Sequence, residues 1–235
     1  MFDVSYSVKE VSTEQLNKCL DDIKSRIVIN EKTLMLVSIK KGNLYTLSEL
    51  RYIINEICDS LIINNNQAAI TLTNHIFENA LKQVLIKWDS QGKQFSKNQP
   101  MEESLKKEVK RFDGEYLKDN ITTCYERGLI SEDRKERLMK LKNRFRNPLS
   151  HASYSKLFRN TTIPIYVGSL NPTEKIEEKT INVSTIPVFS LLAQEEYAKR
   201  YAFEYFAEIY TFINDMDKKL LDLYPDLKEY VDKNK

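Results

Sequence analysis

The chain has 235 residues, with 36 Lys and Arg against 34 Asp and Glu, a net charge of +2, and only 5 Gly and 6 Pro. That length can bury a core of ordinary size, and 41% hydrophobic with 10% aromatic residues excludes a disordered chain in spite of 30% charge. So few Gly and Pro argue against a sandwich, barrel or propeller, which need frequent turns, and the balanced charge excludes a bulk polycation that binds nucleic acid indiscriminately.

In chain order, Phe2, Val4, Tyr6 and Val8 alternate and suit a short strand or an extended arm. Ser12 and Gln15 form a capping-box pattern before a helix to about Ile29, with Leu16, Leu20, Ile23 and Ile27 on one face. The stretch 33–39 fits either a strand or a helix and is closed by Gly42. Thr46 and Glu49 form a second capping-box pattern before Leu47, Leu50, Ile53, Ile54 and Ile57, and the run Asn64, Asn65, Asn66 can end that helix. A wide apolar stripe over 67–88 predicts a helix central to a bundle. Residues 91–100 read as a polar loop, and one or two helices follow around Gly114 as far as Glu126. Gly128 is a natural residue just past a helix end, and Ser131 can cap the helix that carries Leu138, Leu141 and Phe145. Between 160 and 189 the prolines and β-branched runs predict a loop or hairpin inserted into a helical domain. A last long helix runs from Ser190 to about Leu223, where Pro225 stops it, and its aromatics from Tyr197 to Phe212 fall at helical spacing, as core or oligomer contacts do.

Cys19, Cys58 and Cys124 lie far apart, a spacing that offers neither a disulfide framework nor a zinc knuckle and suits a reducing compartment. The first residues lack a basic stretch followed by an apolar one, and no apolar run approaches the roughly 18 residues of a membrane span. The expectation is a soluble, cytoplasmic protein.

The chemistry concentrates around the second of two histidines. In the stretch from Arg146 to His151, Asn147 can cap a helix with Pro148 in its first turn, so a guanidinium, an imidazole and a fresh helix start come together. Such a place attracts phosphate: Arg braces two oxygens at once, free N–H groups favour an anion, and His exchanges protons near neutral pH. Between 131 and 160 there are nine bases against three acids, whereas 172–235 holds nine bases against thirteen acids. A basic stretch ending on the motif, including Arg137, Lys140, Lys142 and Arg144, is where RNA phosphates would be drawn.

Arg146-Asn147-Pro148-Leu149-Ser150-His151 resembles the R-x4-6-H motif of the HEPN superfamily, and Glu78 to Lys82 resembles the upstream E-x3-K of its anticodon-nuclease and abortive-infection branches. Arg144 fits the longer version of the same spacing, and Asn147 after Arg146 favours Arg146. The resemblance implies an all-α, HEPN-like bundle, with an N-terminal extension at 1–45, the core at 46–160, the insertion at 161–189 and a closing helix at 190–235. It also implies a metal-independent endoribonuclease without cofactor, acting in toxin or anti-phage defence on RNA such as tRNA. Two motifs would meet across a homodimer, under an antitoxin or other defence-system regulator. Arg146, His151, Asn147, Glu78 and Lys82 would form the catalytic set. An alternative from another class stays open: a non-catalytic HEPN module that binds a nucleotide or partner, or joins a larger complex. Glu78 and Lys82 could equally be an ordinary i,i+4 helix pair. Ser153 stands where some HEPN proteins carry a modified Tyr, with Tyr154 one residue later, so that regulation is not expected.

Overall fold

A computed structural model describes residues 13–90, 106, 108–112, 114–147, 158, 161–167, 177–185 and 187–233. The alternating residues 2–8, the loop at 91–100, and Pro148 through His151 lie outside these. The fold is all-α with a small hairpin. Its helices are α1 (Thr13–Ser25), α2 (Glu31–Lys41), α3 (Arg51–Ile62), α4 (Asn66–Asp89), α5 (Leu117–Glu126), α6 (Glu132–Leu141), α7 (Pro187–Leu221) and α8 (Pro225–Lys233). Residues 108–112 are also helical. Strands β1 (Thr162–Val167) and β2 (Glu177–Asn182) pair antiparallel, so the insertion is a hairpin before the last long helix, with Thr162 opposite Asn182.

The ambiguous stretch 33–39 is helical: α2 is capped by Asn30, whose side chain accepts the N–H of Thr33, and turns Leu36 and Ile39 into the core. The core itself is built on α4 and α7, which pack along each other, with α3 and α5 against α4. α4 has no Gly or Pro, and Ile70, Phe77, Ala80, Leu81 and Val84 are among its buried residues. α7 opens on Pro187, where a missing N–H costs nothing, and buries Tyr205, Phe206, Ile209, Phe212 and Ile213 completely. Tyr197, Tyr201 and Tyr210 pack partly buried against the same core, so the aromatic row faces inward. α1 is the exception, since none of its side chains is buried.

Local stop signals work as the residue types dictate. α3 ends with Asn64 at φ +58°, while Asn64 N donates to Leu61 O at 3.1 Å and Asn65 N to Ser60 O at 2.7 Å. α5 ends the same way, with Gly128 at φ +68°, Gly128 N on Tyr125 O at 2.8 Å and Leu129 N on Cys124 O at 2.9 Å. This paired closure needs a left-handed residue just past the helix, which Gly supplies freely and Asn tolerates. Ser131 caps α6 by accepting the N–H of Arg134 at 3.3 Å.

α1 ends at Ser25, short of the expected Ile29, and two further boundaries differ from expectation. Pro225 does not merely stop a helix: α7 ends at Leu221 and Pro225 opens α8, because a proline suits a first turn as well as it breaks an interior one. Nor do Thr46 and Glu49 form a capping box. A single turn at Ser48–Leu50 precedes α3 without a side-chain cap, and Glu49 pairs with Lys87 at 2.6 Å instead. The N–H groups at this entrance go to Asp217 on α7: Tyr45 N at 2.9 Å, Thr46 N at 2.7 Å and Leu47 N at 2.8 Å. The Thr46 hydroxyl donates to the same carboxylate at 2.7 Å, while Lys87 donates to Thr46 O. A carboxylate out of water accepts more strongly than a hydroxyl, so the distant Asp displaces the local cap.

Asp217 is 3% exposed, so its loss strands several buried donors. Asp217→Ala is expected to lower unfolding stability by about 3–5 kcal/mol, read by urea denaturation. A loss under about 1 kcal/mol would contradict this reading. The thiols give a second check. Burial pushes Cys58 and Cys124 each up to about 12, whereas Cys19 is exposed. Native protein at pH 8 should therefore present Cys19 alone to a thiol reagent, and all three cysteines only after denaturation.

Candidate functional site

Glu78 and Lys82 sit one turn apart on α4, on the stripe that also carries Thr71 and His75. This stripe is polar because the opposite faces of α4 are occupied by the core, which leaves Glu78, Asn79 and Lys82 half-buried at its margin. Across from it, α6 runs into a wider turn at Lys142–Arg146, where Asn147 N reaches back to Lys142 O in the five-residue step of a π-helix. Pro148 follows, and having no N–H it cannot continue a regular helical ladder.

The wide turn fixes two side chains in opposite senses. Phe145 is buried and stacks on Tyr205 of α7, with ring centroids 4.3 Å apart and planes 13° from parallel. Arg146, the next residue, donates its Nε to Glu78 Oε1 at 2.5 Å. One turn before Glu78, Asn74 accepts the Tyr205 hydroxyl at 2.8 Å. α4 thus receives two hydrogen bonds one turn apart, from two different elements. Burial raises the pKa of Tyr205, the Glu78 carboxylate adds to the rise, and Arg146 opposes it. Tyr205 is therefore a neutral donor beside the ion pair.

Arg144 and Arg146 have separate surroundings. Arg144 lies over the Tyr201 ring, 4.2 Å from its centroid, and donates Nε to Tyr197 Oη at 3.0 Å. Arg146 alone of the two is bonded to Glu78 among the described residues. Lys142 is pulled below the usual lysine range, first by burial and then by Lys118 and Arg146, so three positive groups crowd together here.

Asn147 departs from expectation. Its backbone is helical, at φ −65° and ψ −48°, whereas a helix-starting cap is extended, and its side chain donates to Asn143 Oδ1 at 3.4 Å. It completes the wide turn. The basic stretch is also less open than its sequence reads. Arg137 pairs with Glu208 at 2.8 Å, Arg134 with Asp215 at 2.6 Å, and Lys140 with Glu136 at 3.5 Å. The acidic α7 lies alongside α6 and takes up much of its charge. His75 is exposed and meets only Asn79, at 3.1 Å, among the described contacts.

The sequence reading placed Tyr205 only in the aromatic row of core or oligomer contacts and passed over Asn74, so the link of both to the site escaped it. The available signal was Asn74 itself, a polar side chain amid the buried Ile70, Phe77 and Leu81. Among the described residues no group of three His, Cys, Asp or Glu side chains is disposed to hold a metal ion, and no helix is long and apolar enough to cross a membrane. No family model, curated protein or solved structure matches the chain.

The side chains of Arg146 and Glu78 are 27% and 34% exposed, so solvent screens the pair. Glu78→Gln should change stability by less than about 1 kcal/mol, measured by thermal melting. A larger loss would make the pair a structural strut.

Proposed function

We propose that this chain is a metal-independent endoribonuclease of the HEPN type, acting in the cytoplasm as a toxin or anti-phage effector. One observation carries the reading: the motif arginine Arg146 and the upstream Glu78, 68 residues apart in sequence, are hydrogen-bonded at 2.5 Å. An ordinary i,i+4 pair of Glu78 with Lys82 would not require this long-range partner. The neutral Tyr205 and the stacked Phe145 hold the arginine's segment in place, as a preorganised site needs.

In the proposed reaction a ribose 2′-oxygen attacks the adjacent phosphorus while its proton passes to a base. The bond from phosphorus to the 5′-oxygen then breaks, and that oxygen takes a proton from an acid. The products are a 2′,3′-cyclic phosphate and a 5′-hydroxyl. His151 serves as acid or base, and Arg146 stabilises the charge gathering on the phosphoryl oxygens. Glu78 aims Arg146, Lys82 supports the same face, and Asn147 holds the turn or orients the phosphate. Arg144, Lys142, Lys140 and Arg137 line the RNA approach, tRNA being one candidate. One motif per chain calls for a homodimer with a composite cleft, under the control of an antitoxin or defence-system regulator.

The ion pairs of Arg134, Arg137 and Lys140 favour a second reading, since charges already matched within the chain attract phosphate less. In it the chain is a non-catalytic HEPN subunit that binds a nucleotide or protein partner in a toxin–antitoxin or defence complex. Incubating the purified protein with single-stranded RNA and tRNA in EDTA separates the two. The nuclease reading expects cyclic-phosphate ends, with a loss of about 10²-fold or more in Arg146→Ala and in His151→Ala. Full activity in His151→Ala would sink the mechanism, and no cleavage by the wild type would favour the binding subunit.

A further inference from the structure

The core covers Tyr197 and Tyr201 only in part. On α7, Ala193, Tyr197, Arg200 and Tyr201 stand at i, i+4, i+7 and i+8, the spacing of one helix face. They border a cavity of about 610 Å³, within the range of about 300–1,000 Å³ that small-ligand sites span. Phe158 and Thr161 line it as well, which brings the foot of the hairpin to its wall. Thr161 N donates to Phe158 O at 3.0 Å, and Val183 N, just after β2, donates to Thr161 O at 2.9 Å. Ala193 is the small residue of the set, and its size leaves the space open.

The lining is aromatic, and its unmatched charge is positive. Phe158 meets Tyr197 edge to face with centroids 6.3 Å apart, and Tyr197 meets Tyr201 at 4.7 Å. Arg144 and Arg200 share the Tyr201 ring, 4.2 and 5.3 Å from its centroid, and neither has an acid partner among the described residues. Two guanidinium groups on one ring repel each other, and an anion beside them relieves the repulsion. Lys199 and Glu196, also on the lining, neutralise each other at 2.9 Å. A nucleotide matches this set, since rings stack on any base and a guanidinium takes phosphoryl oxygens in pairs. We propose that the cavity seats one base of a single-stranded RNA against Tyr197 and Tyr201, with that nucleotide's phosphate on Arg200. Arg144, on the same ring, stands two residues before Arg146, so a strand held here passes on toward the motif. No lining residue takes part in the proposed reaction. The inference rests on RNA being the ligand and not on its cleavage.

A labelled 2′-O-methyl oligoadenylate is the probe, because without a free 2′-hydroxyl the proposed reaction cannot cut it. Fluorescence anisotropy with the full chain, at one low salt concentration, should show binding. An abasic strand with the same number of phosphates should bind about tenfold or more weakly. Ala193→Phe, which fills the cavity, should weaken the oligoadenylate by about tenfold or more with the melting temperature unchanged. Arg200→Gln, at an exposed position, should weaken it and flatten its salt dependence, whereas Lys18→Gln on α1, the same loss of charge, should not. Should the phenylalanine unfold the chain, Arg200→Gln decides. A wild type that does not bind the probe would overturn the proposal, as would an abasic strand bound equally well. So would unchanged binding in folded Ala193→Phe or in Arg200→Gln, or a loss in Lys18→Gln as large as in Arg200→Gln. Adenosine monophosphate that displaces the probe at the probe's own Kd would overturn it too, because the site would then serve a free nucleotide. A chain that binds the probe as described but cuts no RNA loses the nuclease reading and keeps this one. A chain that cuts RNA while Ala193→Phe binds normally does the reverse.

Discussion

The buried carboxylate of Asp217 ties the late part of the chain to the early part. It accepts the N–H groups of Tyr45, Thr46 and Leu47 at the entrance to α3, from 170 to 172 residues away in sequence. Thr46 and Leu47 lie in a non-helical segment buried in the core, where unpaired N–H groups are costly. Lys87 of α4 completes the junction through Thr46 O and Glu49. One charge therefore sets the relation of α3, α4 and α7, and the apolar packing of the bundle forms around that frame.

The candidate site depends on the same frame at its other end. With α7 seated against α4, Tyr205 reaches Asn74 and offers its ring to Phe145. Phe145 in turn fixes the wide turn after α6, and the residue next to it can only point toward the polar margin of α4. Arg146 meets Glu78 for that reason. The ion pair adds little to stability at its exposure, but it sets the direction of a guanidinium. The acids of α7 meanwhile hold Arg134 and Arg137, while Arg144 rests on its tyrosines and Lys142 lies near Lys118 and Arg146. An electrostatic surface drawn from sequence alone would be too positive here, because it would omit the helix that lies alongside.

Much of the architecture is legible in residue types. Asn64 and Gly128 end helices because a left-handed backbone excludes most side chains, and Ser131 starts one because its oxygen can take an orphan N–H. The breadth of the apolar stripe on α4 announces a central helix, and the β-branched runs around the late prolines announce the hairpin. Glu78 and Arg146 could be named from their spacing, although nothing in that spacing required them to touch. Local rules misled at Thr46, at Pro225 and at Asn147, where the same residue type can serve two local structures of similar free energy. Thr46 could have capped its own helix, but a buried carboxylate outcompeted its hydroxyl.

The sequence by itself determined the helical class, the helix ends marked by Asn64, Gly128 and Ser131, and the inserted hairpin. These follow from backbone sterics and side-chain chemistry, which act over a few residues. Tertiary structure decided which of two neighbouring arginines joins Glu78 and which cations are paired with acids of α7. Each of those outcomes is a choice between partners far apart in sequence, and such choices are settled only when packing fixes which groups leave water together.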